Sequence, residues 1–515
     1  MKRLLRLVLK LAVFVAVAIL AARFLFPLPD ISDRAPSLAM PMSPSTTLGA
    51  RVIEESAANP EKSGVFPLRS GHDALASRLA LIAAAEQSID AQYYIWHDDT
   101  SGILLLDALS QAANRGVRVR LLLDDNGVPG LDGFMAALNA HERFEIRLFN
   151  PSTIRSPKLL GYTFDFFRMN RRMHNKSLIV DGAVAIIGGR NIGDEYFEVG
   201  DDNFYVDMDV LAAGTIVPET ASVFDAYWNS QSVFEAETII QDVGDLSAFE
   251  ARSLEIQTSA DATEFLQETS DSATEYTNGN TQLEWTNVQL VADDPVKGLG
   301  IATRDQLMIT RLGEILGGVE SRLDLVSAYF VPGPKGTGWF AEMASAGTDV
   351  RILTNAMNTT DVLMVHAGYS KYRRELLEAG VSLYELKLRG GIAGAEVQSM
   401  PFGLSGASLH AKTFAVDEQR VFIGSFNFDP RSATLNCEMG FLIDSPTMAS
   451  SVSNGFDGPL ETVSYQPELT PENKMIWREP QEGGQVTVYQ EEPGATWFQQ
   501  IAIVIIGLLP VEWLL

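Results

Sequence analysis

Apolar and polar positions along this 515-residue chain follow two alternating periods, and the same order of elements occurs twice. A period of about two predicts strands over residues 89–96, 117–123 and 144–149, and again over 323–330, 350–353 and 381–386. Apolar positions three and four apart predict helices over 74–85 and 102–113, and again over 306–318, 339–346 and 369–379. Helices interleaved with strands give an α/β class with mixed sheets, here as two duplicated halves. Two further stretches, 174–187 and 410–423, also alternate and read as strands.

The ends differ from this pattern. Residues 11–28 carry one charge, Arg23, and as a helix would measure about 27 Å, close to the thickness of a bilayer's hydrocarbon core. Lys2, Arg3, Arg6 and Lys10 precede the run, which predicts that end in the cytoplasm. The rival reading is a cleaved signal peptide with its apolar region over 11–22, but no good small-x-small site precedes Arg23. The expected organisation is an anchor over 1–30, a first half over 65–242 and an acidic, partly helical Ser/Thr-containing linker over 243–284. A second half over 285–465 and a tail over 466–515 follow. The tail is acidic and extended to about residue 495. It then carries a nine-residue apolar run, 501–509, too short to span, which either dips into one leaflet or packs on the body.

Charge narrows the partners. The net charge is −27, and the first 30 residues hold +4, so the remainder carries −31. Such a body repels polyanions, and no nucleic-acid partner is expected. Tyr162, Phe164, Phe166 and Phe167 interleave with Arg168, Arg171 and Arg172, a mixture that suits lipid headgroups and acyl chains. The single Cys437 excludes an intramolecular disulfide and a thiolate metal cluster.

The chemistry sits in the two alternating stretches. His174-Asn175-Lys176 is followed by four residues and Asp181, then six residues and Gly188-Gly189-Arg190-Asn191. His410-Ala411-Lys412 is followed by four residues and Asp417, then six residues and Gly424-Ser425-Phe426-Asn427. Two of the chain's six histidines fall in this repeat. On a strand, His and Lys two apart share a face. Lysine is a point charge for phosphate oxygens, and an imidazole can attack phosphorus or move a proton near neutral pH. The glycines let the backbone pass closely, and Asn191 and Asn427 are the expected phosphate-binding amides. No metal is expected, since lysine is a poor ligand, and no cofactor.

The paired HxKxxxxD pattern resembles the phospholipase D superfamily. Residues 89–96 (IDAQYYIW) and 188–197 (GGRNIGDEYF) are similar to bacterial cardiolipin synthases, and 207–211 (DMDVL) and 365–369 (VHAGY) to their C branch. The resemblance covers roughly residues 65–465. It implies phospholipase D-type halves packed about a pseudo-two-fold axis, with the two motifs meeting at one site. His174, Lys176, Asp181, His410, Lys412 and Asp417 form its catalytic signature, with the two aspartates bracing the fold. His174 is implied to be the nucleophile and His410 the acid and base. The family's histidine-orienting carboxylates match Glu438 for His410 and Asp207 for His174, with Asp202 and Asp209 as alternatives. The implied substrates are phosphatidylglycerol and a second phospholipid such as phosphatidylethanolamine, at the bacterial inner membrane with the body outside the cytoplasm. A phospholipase D using water or another alcohol, a nuclease of the same superfamily and an inactive membrane scaffold are the alternatives. The complete motifs count against the scaffold.

Overall fold

A computed structural model of the chain describes residues 2–200, 204–267, 282–360, 362–387, 408–481, 484–507, 509 and 512–515. Each half is built on one mixed sheet. In the first, the strand order is Glu284–Thr286, Ser63–Leu68, Asp209–Gly214, Val184–Gly188, Ser177–Val180, Ser88–Tyr93, Arg118–Asp124, Phe144–Phe149 and Val233–Glu235. In the second it is Val288–Ala292, Met439–Ile443, Arg420–Gly424, Lys412–Val416, Arg322–Ser327, Asp349–Asn355, Ser382–Leu386, Ser464–Leu469, Met475–Pro480 and Val486–Tyr489. From Ser63–Leu68 and Val288–Ala292 onward the two sheets match strand for strand through eight positions. Asn287 alone separates the edge strand of the first sheet from that of the second.

Alternation along these strands sorts side chains into three cores. In Val184–Gly188, Val184 and Ile186 join the first half's outer core, while Ala185 and Ile187 join a central one. In Arg420–Gly424, Val421 and Ile423 face the same central core and Phe422 the second half's outer core. The central core therefore belongs to both halves, which pack sheet face to sheet face. Both faces of each sheet are covered, so the strands read as nearly continuous apolar runs. A buried ion pair repeats with the fold. Arg120 reaches Asp90 at 2.6 Å and Asp225 at 2.8 Å, and Arg351 reaches Asp324 and Asp457 at 2.5 Å each. Phe224 and Phe456 cover the two guanidinium groups at 4.8 and 5.0 Å.

Several elements depart from the sequence expectation. Each motif stretch is a tight hairpin, not one strand, turning at Asp181-Gly182 and Asp417-Glu418 with all four φ angles between 53° and 60°. Aspartate tolerates that left-handed backbone, and the apolar alternation runs through the turn and conceals it. The segment 369–379 is two helices, Leu363–Ser370 and Arg373–Glu378. The linker, by contrast, is partly helical as its sequence leads one to expect. Its helix Leu246–Gln257 packs on the first half with Arg252 on Asp98 at 3.0 Å, although residues 268–281 lie outside the described residues. The tail is not extended. Met475–Pro480 and Val486–Tyr489 continue the second sheet, Trp477 is buried with its indole N–H donated to Glu385, and Glu492 meets His366 and Arg373.

The helix Lys2–Leu25 stands off the body, and its stretch Arg3–Leu25 is long and apolar enough to cross a membrane. The chain after it is strapped to the first half. Arg34 donates to the carbonyls of Val233, Asn229 and Ser230, and Ala39 N–H donates to Asp225.

Candidate active site

The two motifs meet because each half lends the other a short strand. Met173 forms a bridge with Cys437, and Leu409 pairs with Val206 in a two-stranded ladder. His174 N–H donates to Cys437 O and His410 N–H to Val206 O, both at 2.8 Å. Each histidine therefore lies beside the residue that follows its partner strand in the other half, Glu438 or Asp207. His174 Nδ1 is 2.7 Å from Glu438 Oε2, and His410 Nδ1 is 2.5 Å from Asp207 Oδ2. This crosses the pairing expected from sequence, which gave each histidine the carboxylate of its own half. Asp207 and Glu438 orient imidazoles, but across the pseudo-two-fold axis. Sequence order alone cannot show that exchange. Asp209, an alternative candidate, instead binds Arg78 at 2.8 Å, and Asp202 lies outside the described residues.

Both Nδ1–H groups are thus committed to carboxylates, which leaves Nε2 of each ring for chemistry. Lys176 Nζ donates to His174 O at 2.7 Å, and Lys412 Nζ donates to His410 O and lies 2.8 Å from His410 Nδ1. That nitrogen cannot accept from Lys412 while donating to Asp207, and the shorter, charge-assisted contact to the carboxylate sets the tautomer. All four side chains are buried.

Burial, together with Lys176, Lys412 and His410, holds the His174 imidazole far below its ordinary pKa. Burial and Lys412 also lower His410, but Asp207 opposes them. Burial alone would raise the Asp207 carboxyl, yet Lys412 and His410 keep it below the usual range. Glu438 is the reverse case: burial raises it against the pull of Lys176. Burial also pushes the Lys176 ammonium well down, opposed by Glu438 and reinforced by Lys412. A phosphodiester entering here brings further negative charge to Lys176 and Lys412.

The glycines are dictated by these carboxylates. A Cβ on Gly189 would stand 2.1 Å from Asp207 Oδ1, and one on Gly188 2.0 Å from Asp209 Oδ1. In the second half Ser425 replaces Gly189, and its hydroxyl donates to Glu438 Oε2 at 2.6 Å. The motif aspartates stand apart from the reacting groups. Asp181 accepts the backbone N–H groups of Glu86, Gln87 and Ser88, and Asp417 those of Glu320, Ser321 and Arg322. They tie each hairpin turn to the start of the neighbouring strand.

Asn191 Nδ2 donates to Tyr196 Oη at 3.0 Å, and its oxygen accepts from Ile95 N–H at 3.3 Å. Asn427 makes the equivalent contact to Tyr329 N–H at 3.4 Å. Both brace the loop after a central strand.

Sequence reasoning missed the aromatic walls. Tyr94 lies edge-on to His174 at 5.0 Å, and Tyr196 and Tyr205 flank His410 at 5.1 and 5.2 Å. Tyr94 and Tyr196 stand inside the two family-like phrases, the signal that could have found them. Arg172, fully buried, holds the approach to His174 through Asp124 at 2.9 Å. Among the described residues, His97, Asp99 and Glu195 are the one group able to share a cation. They are already engaged: Asp99 caps the helix Thr100–Asn114 at Gly102 N–H and accepts Asp194 N–H, and His97 Nδ1 lies 3.2 Å from Glu195. Cys437 is buried beside Glu438, its thiol pushed up to about 12 by burial and Asp293, so it is inert.

Known proteins agree with this geometry. The family model described as cardiolipin synthase, PLD-like domain, matches residues 79–228 and 313–459. Cardiolipin synthase C of Escherichia coli (strain K12) is 42% identical over 472 residues, covering 91% of this chain and 99% of that protein. The major cardiolipin synthase ClsA of Bacillus subtilis (strain 168) is 26% identical over 398 residues, covering 77% and 68%. The crystal structure of phosphatidylserine synthase from Haemophilus influenzae Rd KW20 superposes with a TM-score of 0.56 at 13% identity, covering 90% and 99%, a likeness of fold.

Proposed function

This chain belongs to the phospholipase D-like cardiolipin synthase family, and we propose that its duplicated site transfers a phosphatidyl group to phosphatidylglycerol through a phosphohistidine on His174. The observation that carries the reading is the crossed pair of imidazoles. Each is fixed at Nδ1 by the other half's carboxylate, which leaves Nε2 for chemistry, and each has the lysine two residues on bonded to its own carbonyl oxygen.

In the first step His174 Nε2 attacks phosphorus of the donor lipid, and the bond from phosphorus to the headgroup oxygen breaks. His410 gives its Nε2 proton to the departing alcohol. In the second step a glycerol hydroxyl of phosphatidylglycerol attacks the phosphohistidine, its proton passes to His410, and the P–N bond breaks. The product is cardiolipin and the free enzyme. Lys176 and Lys412 offset the charge that grows on the phosphoryl oxygens, and Asn427 is the asparagine better placed to assist them. The assignment of roles follows the environment. His174 is held the more firmly neutral, as a nucleophile must be, while Asp207 supports the protonated form of His410 that an acid must reach.

The donor is a phospholipid such as phosphatidylethanolamine. Purified protein in detergent, given headgroup-labelled phosphatidylethanolamine and phosphatidylglycerol, should release labelled alcohol and form cardiolipin. Release with only phosphatidic acid as product would make it a hydrolase instead. The basic residues before the apolar helix place the N-terminus in the cytoplasm and the body outside. Protease added to spheroplasts should therefore digest the body, and full protection until lysis would reverse the orientation.

A further inference from the structure

Two exposed apolar patches lie along one chain of contacts that starts at the membrane-crossing helix. At the end of the membrane-crossing helix, Arg23 Nε donates to Phe164 O at 2.9 Å, its Nη2 lies 3.5 Å from Asp165, and the Phe26 ring stacks on Phe164. Beside these contacts Leu159, Leu160, Phe166 and Phe167 point outward, Phe167 with 65% of its surface exposed. Leu159 and Leu160 lie in the short helix Lys158–Gly161, and Phe166 and Phe167 in the helix Tyr162–Met169, which ends at Asn170, four residues before His174. Arg431, four residues after Asn427, donates to Asn170 Oδ1 and O at 3.1 and 3.0 Å and to Leu514 O at 3.2 Å, while its own N–H donates to Leu515 O. This joins the first patch to the last segment of the chain. There the helix Trp497–Gly507 packs on Leu363–Ser370 with one side and exposes Trp497, Phe498, Ile501 and Ile505 on the other. The two readings of this segment, leaflet contact and packing on the body, are therefore compatible.

We propose that these two patches are a second, non-spanning membrane contact, which seats the mouth of the site on the anionic leaflet from which the N-terminal helix emerges. Two observations select a lipid surface. The patch around Phe166 and Phe167 is tied directly to the end of a membrane-crossing helix, so it lies within about a helix diameter, ~10 Å, of where that helix leaves the bilayer. Outside the buried Arg172, residues 157–171 also carry a net +2, from the half-buried Lys158, Arg168 and Arg171 against Asp165, in a chain of net −27. Basic residues interleaved with aromatics fit an anionic headgroup layer. With both patches seated, a phospholipid reaches His174 by sliding laterally, its acyl chains still in the leaflet.

The test combines depth and turnover. The only native cysteine is buried, so spin labels can be attached selectively to Phe167→Cys, Ile501→Cys and, as a water-exposed control, Arg311→Cys. The full chain is reconstituted in vesicles of phosphatidylethanolamine and phosphatidylglycerol. Labels at 167 and 501 should be accessible to oxygen and shielded from a water-soluble nickel complex, and the label at 311 should show the opposite. Equal nickel access at all three, or shielding that persists without lipid as expected of a protein partner, overturns the proposal. In the second arm, Phe166→Ser/Phe167→Ser and Ile501→Ser/Ile505→Ser should each lower turnover of vesicle lipid by roughly ten-fold while leaving short-chain, detergent-dispersed lipid within about two-fold. Equal loss on both substrates by folded protein also overturns it. This arm rests on the phosphatidyl-transfer reading. A wild-type protein inactive on both substrates would sink that reading and leave the label depths to decide the docking.

Discussion

The two halves place the same reacting groups on the same backbone and support them by opposite means. Behind Asp207 the first half buries ions. Asp209 binds Arg78, and Arg190 donates to the carbonyls of Leu68, Tyr196 and Asp207. Behind Glu438 the second half buries rings. Gly440 takes the place of Asp209 under Phe422, Phe426 takes the place of Arg190, and Phe414, Phe422, Phe426 and Phe428 pack together. The carboxylates differ accordingly: Asp207 is held ionised beside cations, while Glu438 is raised by burial and steadied by Ser425. Because the pairing is crossed, the ionic half tunes His410 and the aromatic half tunes His174. A duplicated site can thus give two identical residues two different tasks.

The largest way to break the comparison is to exchange its hinge residues. Gly189→Ser puts an atom where Asp207 sits and should lower kcat/KM by roughly 10²–10⁴-fold through His410, with the fold kept, as circular dichroism would show. The reciprocal Ser425→Gly removes one hydrogen bond to Glu438 and should cost only about ten-fold. Equal losses from the two would deny that the halves differ.

Asp207→Asn should shift the pH profile as well as the rate. Asp207 raises the His410 pKa, so its removal lowers that pKa, and His410 loses its proton at a lower pH. The alkaline limb of kcat/KM should therefore move to lower pH, while Glu438→Gln should leave that limb in place. A limb unmoved by Asp207→Asn would detach it from His410.

The smallest catalytic effect is expected at the motif aspartates. Asp181→Ala strips three amide donors, one of them buried, of their acceptor and should destabilise by about 2 kcal/mol in urea unfolding, with the kcat of folded protein within about two-fold. Asp417→Ala, at a more exposed turn, should cost less.

These contrasts mark what the sequence could and could not reveal. The strand and helix order was legible because apolar period follows the packing geometry, and the motif residues because their spacing repeats. The hairpin turns were hidden because Asp181 and Asp417 continue the alternation. The crossed pairing was hidden because it is set by strands exchanged between halves, a contact with no local signature. Tyr205 beside His410 depends on the same meeting of the halves, and the Arg120 and Arg351 ion pairs on contacts far apart in sequence within each half. The tail was misread from composition, since acidity says where a surface faces and not whether it folds.

The central claim is that His174 carries the phosphatidyl group and His410 the proton. A lipid analogue with a low-pKa phenolic leaving group separates these roles, because attack then needs little help from an acid, a contribution otherwise worth about 10²–10⁴-fold. With this analogue His410→Ala should give a burst of phenol and a trapped, acid-labile adduct mapped to His174, and His174→Ala should give neither. An adduct on His410 in His174→Ala, with none in His410→Ala, would contradict the assignment.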